Sequence, residues 1–202
     1  RNKALKRGVG IAGGWYGCGN TSLPNPSTIK SGIKQDGTVV LHQGAVDIGQ
    51  GANTAIAQIF SKSLGVSVHQ LELIGPDTDL TPDAGKTSAS RQTFVSGNAA
   101  KLSAETLRKV ILKLVNAAQT ALLKIKYGEI IVSDGDIVHK IDLSSLEPDL
   151  EGYVLRAEET YDPPTRPLDE NGQGEPYAQF GYAAHLVVVE VDIVMGLSLI
   201  HI

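Results

Sequence analysis

Residues 8–17 read "GVGIAGGWYG", and two different folds follow from two readings of them. Gly8, Gly10 and Gly13 match the dinucleotide fingerprint G-x-G-x-x-G, which has meaning only after a strand and at the start of a helix. Here a basic segment precedes the glycines, and "GWYGCGNTSLPNP" follows. The glycines and prolines of that second stretch exclude a helix. Residues 8–17 therefore read as a glycine-rich strand, and a doubly wound dinucleotide fold is rejected.

Working outward, residues 29–47, "IKSGIKQDGTVVLHQGAVD", give two strands around Asp36-Gly37, because both turn positions tolerate positive φ. Ile56, Ile59, Phe60 and Leu64 recur at helical spacing and predict a helix over 52–64. A short strand follows at 69–75, and a loop rich in Pro, Asp, Gly, Ser and Thr covers 76–93. Ala99, Leu102, Leu107, Val110, Ile111, Leu114, Ala118, Ala121 and Leu122 line one face of a second helix, predicted at about 95–125. Asp134-Gly135 marks another hairpin within "EIIVSDGDIVHKI". Residues 142–175 are acidic, and their core "YDPPTRPLDENGQGEP" is expected to be extended and loop-like. The alternation in "AQFGYAAHLVVVEVDIV" predicts a strand with at least one well-buried face. Mixed sheets with hairpins and two main helices, without a regular βαβ rhythm, place the chain in the α+β class.

At 202 residues the chain can hold one domain or two small ones. Division into 7–126 and 127–196 is expected. The net charge of -4 is against a general nucleic-acid binder. Cys18 is the single cysteine, which excludes a disulfide within the chain and a cysteine zinc site, and points to a reducing compartment. No run of apolar residues reaches membrane-spanning length. His42, His69, His139 and His185 show no metal-ligand spacing, and His201 lies in the final stretch. The opening reads as a chain already under way. Residues 197–202 resemble translated adapter read-through, so an internal fragment with a non-native tail is expected.

Two loops carry the chemistry. "PDAGKTSASRQT", residues 82–93, ends like a phosphate-binding P-loop, yet the required first glycine is Leu80, and Pro82 removes an N–H. The nucleotide triphosphatase reading fails there. What remains is Thr87, Ser88, Ala89, Ser90, Arg91, Gln92 and Thr93, small and hydroxyl side chains with one guanidinium, directly before a helix. Arginine holds a phosphate with two prongs, while a hydroxyl-capped helix with a surface arginine is the plain alternative. The second loop is Gly49-Gln50-Gly51, between a strand and a helix start. Helix N-termini offer free N–H groups to an anion, and Gln50 adds both a donor and an acceptor. A tight turn with no ligand is the alternative here.

"GAVDIGQGANTAIAQI", "DTDLTPDAGKTSASRQTFVSGNAAKL" and "YDPPTRPLDENGQGEPYAQFGYAAHLVVVEVDIVMG" resemble the molybdopterin-binding large subunit of the xanthine dehydrogenase/aldehyde oxidase family. The opening "RGVGIAGGWYGCGNTSLPNPS" fits as well, so the likeness covers nearly all of 7–196. It implies part of a molybdenum-cofactor-binding domain, with 8–17 as framework. It implies that Thr87–Gln92 holds the pterin or dinucleotide phosphates of the cofactor. It also implies that Gly49, Gln50 and Gly51 offer backbone N–H groups, with Gln50 beside the metal's apical oxo group. The implied reaction is hydroxylation of an aldehyde or N-heterocycle with oxygen from water. Its general-base glutamate is expected beyond the C-terminus, so no catalytic residue and no direct metal ligand is assigned in this chain. Iron–sulfur clusters and FAD are expected on other domains or subunits, in a cytoplasmic enzyme, with the periplasm as the alternative. A noncatalytic binding module without cofactor is the rival from another class.

Overall fold

The computed structural model describes residues 4–20 and 23–200. The chain divides into two compact units, Cys18–Ala178 and a second built from the two chain ends, up to Gly17 and from Gln179 onward. The division does not fall at 126/127, where the sequence places it.

In the larger unit, strands β2 (Ser27–Lys34) and β3 (Val39–Gln43) form the expected hairpin, closed by Gly37 at φ 88°. Helix α1 (Ala52–Leu64) follows, as its periodicity requires, and leads to β4 (Leu71–Ile74), which lies parallel to β3. This one βαβ crossover puts the start of α1 at the carboxyl end of β3. Helix α2 spans Gln92–Leu114, and β5 (Leu122–Lys126), β6 (Glu129–Asp134) and β7 (Ile137–Asp142) form an antiparallel three-stranded sheet. Strand β8 (Tyr153–Tyr161) completes a sheet of order β4-β3-β2-β8.

Two expectations change here. The second helix ends eleven residues before 125, at Leu114, because Asn116 turns left-handed at φ 53° and the Arg108 guanidinium caps the carbonyls of Leu64, Gln119 and Ala121. The acidic stretch 142–175, for which solvated loop is the default reading, is in part strand. Tyr153, Leu155 and Ala157 are buried in β8, and Arg156 and Glu158 lie on its exposed side.

The core is formed where α1 and α2 lie against the larger sheet. Ile29, Ile33 and Leu41 meet Ile56, Phe60, Leu64, Leu107 and Ile111. A seam of small residues lets α2 approach β2 closely. Ser27 and Ser96 share a hydrogen bond of 2.7 Å, Ser31 and Ser103 one of 2.8 Å, so the buried hydroxyls satisfy one another.

The smaller unit is a sheet of order β1-β9-β10, from β1 (Leu5–Gly17), β9 (Phe180–Asp192) and β10 (Leu197–Ile200). Residues 8–17 are thus strand, in register with β9 from Leu5↔Asp192 to Gly17↔Phe180. The buried face expected for β9 is not found. Val9, Ile11, Trp15, Tyr182 and Leu186 are all exposed. Residues 197–200, read as a tail, pair with β9; His201 lies outside the described residues.

Candidate functional site

The loop after β3 folds around one carboxylate. Asp47 Oδ1 accepts the N–H groups of Gly49 at 2.9 Å and Gly51 at 3.2 Å, and Oδ2 accepts that of Asn53 at 3.1 Å. The N–H of Gly49, then those of Asn53 and Gly51, hold the Asp47 carboxyl below its usual range. Gly49 and Gly51 are present because the turn needs φ of 105° and 81°. The sequence expectation of free N–H groups at Gly49 and Gly51 is therefore corrected: Asp47 is the anion that takes them, together with that of Asn53. Gln50 closes the loop, accepting from the Ile48 N–H at 2.6 Å and donating to the Val46 carbonyl at 3.1 Å.

The 82–91 loop is built differently. Ala89 and Ser90 both stand left-handed, at φ 51° and 54°, a conformation non-glycine residues adopt at a cost. The Ala89 carbonyl accepts the Gly19 N–H at 2.8 Å. Thr87 Oγ1 accepts from the Val46 N–H and donates to the Val46 carbonyl, both at 3.1 Å, which ties this loop to the loop of Gln50. Among the described residues, nothing accepts the N–H groups of Gln92, Thr93 and Phe94 at the first turn of α2, or the hydroxyl protons of Ser88, Ser90 and Thr93. At the start of α1 a carboxylate of the chain itself takes the Asn53 N–H; at the start of α2 no carboxylate among the described residues does so.

Arg91 does not face outward. It is 1% exposed. Its Nη1 donates to the carbonyls of Ala84 and, at 3.0 Å, Lys86; its Nη2 donates to those of Asn25 at 2.9 Å and Pro26 at 2.7 Å. Its Nε is buried without a partner. Burial pulls the Arg91 pKa down, against the opposing charges of Asp83 and Asp162. Arg91, expected to hold a phosphate with its two prongs, here spends both on backbone carbonyls, and the surface arginine of the plain alternative is not found either. Gln92 is buried too, with its amide on the Lys86 carbonyl at 3.0 Å and on Ser96. Nearby, His42 is held neutral by burial, which lowers its pKa. Its Nδ1–H donates to the Leu80 carbonyl at 2.9 Å, and its Nε2 accepts the Tyr153 O–H at 2.6 Å.

The two loops meet. A cavity of about 440 Å³ is lined by Ile48 and Gln50 from one and by residues Thr87, Ser88, Ala89, Ser90, Arg91, Gln92 and Thr93 from the other, a size ordinary for a small-molecule site. Gly49 and Gly51 do not line it. Sequence reasoning missed Asp47, whose signal was an aspartate two residues before a glycine-rich helix start. It also missed Ile48, and it counted Thr93 in the loop without assigning it to the cofactor. Among the described residues no cluster of His, Cys, Asp or Glu could hold a metal. Neutral donors at a helix N-terminus fit the phosphate and pterin parts of a cofactor rather than a metal ion.

The comparisons with known proteins agree with that chemistry. The chain is 35% identical over 107 residues to an aldehyde oxidoreductase of Megalodesulfovibrio gigas, which covers 52% of this chain and 12% of that protein. It is 26% identical over 196 residues to a xanthine dehydrogenase of Oryza sativa subsp. japonica, covering 96% of this chain and 13% of that protein. The solved aldehyde oxidoreductase from Desulfovibrio desulfuricans ATCC 27774 superposes with a TM-score of 0.74 at 25% identity, over 99% of this chain and 20% of that one. The chain thus spans 12–20% of the length of these relatives. The family model described as "Molybdopterin cofactor-binding domain" matches residues 1–200, and with so little of the sequence outside that match, the chain belongs to the molybdopterin cofactor-binding domain family.

Proposed function

We propose that this chain forms part of the cofactor cradle of a molybdenum hydroxylase that oxidises an aldehyde or N-heterocycle. The observation that supports the reading is the convergence of the Gln50 loop and the Thr87–Gln92 loop on one cavity beside the open N-terminus of α2. Bound there, the molybdenum cofactor supplies the oxidising centre at which oxygen from water is added to an sp² carbon. The chain's own part is to bind and orient. The N–H groups of Gln92, Thr93 and Phe94 and the hydroxyls of Ser88, Ser90 and Thr93 take the phosphate of molybdopterin or its dinucleotide form. Gln50 presents an amide at the cavity wall and must release Ile48 and Val46 to use it. Its place beside the metal's oxo group is part of the same proposal. Iron–sulfur clusters and a flavin on other domains or subunits would take up the electrons. One cysteine does not ligate a cluster that takes four protein ligands. No helix among the described residues is long and apolar enough to cross a membrane, and the cytoplasm is the compartment proposed.

Ser90→Asp in the enzyme that carries this chain tests the reading. Aspartate tolerates the left-handed backbone and favours a helix N-terminus by about 0.3–1 kcal/mol, so the cofactor-free form keeps its melting temperature. The same charge repels a bound phosphate, and molybdenum content after gel filtration is expected to fall about tenfold or more. Full molybdenum retention would sink the assignment.

A further inference from the structure

Arg91 sits next to the cavity yet turns its charge away from it. Its guanidinium gathers four carbonyls from two segments far apart in sequence, Asn25 and Pro26 on one side, Ala84 and Lys86 on the other. Gly85 lies against the guanidinium plane. A Cβ built there would come within 2.8 Å of Nη1 and 3.0 Å of Nη2, so the glycine leaves room for the arginine. The residues between these anchors and α2 include the left-handed pair Ala89 and Ser90. Such a pair persists only where its surroundings over-determine it. The anchors are at hand: Arg91 on one side, the Gly19–Ala89 hydrogen bond on another, and the Thr87–Val46 pair on a third.

We propose that Arg91 is a positioning residue. Its buried fork fixes the 84–90 backbone so that the unpaired N–H groups of α2's first turn border an open cavity, and it makes no contact with the ligand itself. The inference rests on the cofactor reading only for the identity of what the cavity holds. The geometry separates the two roles. A ligand arginine needs an accessible prong; both terminal nitrogens here are already taken, and the remaining donor, Nε–H, is buried away from the surface. Lysine keeps the charge but has no planar fork. For a phosphate ligand, Arg91→Lys should retain part of the function; for a positioning residue it should fail as Arg91→Ala does.

Amide exchange followed by NMR in the full chain provides the test. The N–H of Gly19 reports on Ala89, and the N–H of Val46 reports on Thr87. In both Arg91→Ala and Arg91→Lys these amides are expected to exchange about tenfold faster or more, as loss of hydrogen bonds from a charged donor implies. Amides around Leu107 and Ile111 in the α2 core should keep their protection. Free guanidinium added to Arg91→Ala should restore Gly19 and Val46, and ammonium at the same concentration should not. Arg91→Gln, which retains a planar donor, serves where the alanine variant does not fold. Wild-type protection at Gly19 and Val46 in the variants would overturn the proposal. Equal loss at Leu107 and Ile111 would do so too, because the residue would then act only on global stability. A last arm adds inorganic pyrophosphate to the wild-type chain. If it leaves the amides of residues 92–94 unprotected while Arg91→Ala still loosens Gly19, positioning stands and the phosphate reading fails.

Discussion

Asp47 does at the start of α1 what the sequence reserves for a ligand. Its folded pKa is depressed below 3.8 by three backbone N–H groups, that of Gly49 first. A depressed acid stabilises the fold above its unfolded pKa, and that contribution fades as pH falls through the folded value. Urea midpoints measured from pH 5 down to pH 2 are expected to decline less steeply in Asp47→Asn than in the wild type; identical slopes would remove Asp47 from the account. The residue scale also shows where sequence reading stops. Glycines and hydroxyls before a helix mark a loop by local chemistry, so Gln50 and residues 87–93 were legible as cavity-lining candidates. The direction of the Arg91 side chain was not, because its Asn25 and Pro26 acceptors lie more than sixty residues away along the chain.

Elements are held by close approaches that two glycines allow. A Cβ on Gly32 in β2 would meet the Tyr153 ring at 2.4 Å, and that ring is fixed by its hydrogen bond to His42. Gly32→Ala is expected to destabilise by about 1–3 kcal/mol, read as a lower urea midpoint. Gly97 in α2 meets only the end of the Ile59 side chain, at 2.8 Å, which can turn aside. The helix itself gains up to about 1 kcal/mol from alanine, so Gly97→Ala should leave the midpoint within about 1 kcal/mol of wild type. Equal losses at the two sites would refute this distinction. Hairpins and α1 were readable because their signals are local. The end of α2 was not, since Ala118, Ala121 and Leu122 continue the helical stripe past the point where Asn116 breaks it. Strand β8 was hidden by its charged residues Arg156, Glu158 and Glu159.

At the scale of the whole molecule, the cavity lining includes no carboxylate or imidazole, and so no general base. The purified chain, given molybdenum cofactor and an artificial electron acceptor, is expected not to hydroxylate an aldehyde or purine; reproducible turnover would contradict that. Trp15, the single tryptophan, is 73% exposed among the apolar side chains of the end-built sheet, a patch of the kind that marks contact with other protein. Its fluorescence in the isolated chain should be that of a hydrated indole, open to acrylamide quenching, and shielding already at low concentration would count against the exposed sheet. The register of that sheet also sets an order in time. Gly17 faces Phe180, so β1 leaves the ribosome long before its partner exists. At about 5–20 residues per second, the wait is on the order of ten seconds. Cys18–Ala178, with a core of its own, can fold in that interval, and β1 must stay unpaired without aggregating. Gly8, Gly10, Gly13 and Gly14 weaken its tendency to pair as a strand with other chains, so the glycines that imitate a nucleotide fingerprint also act as a delay against premature β-assembly.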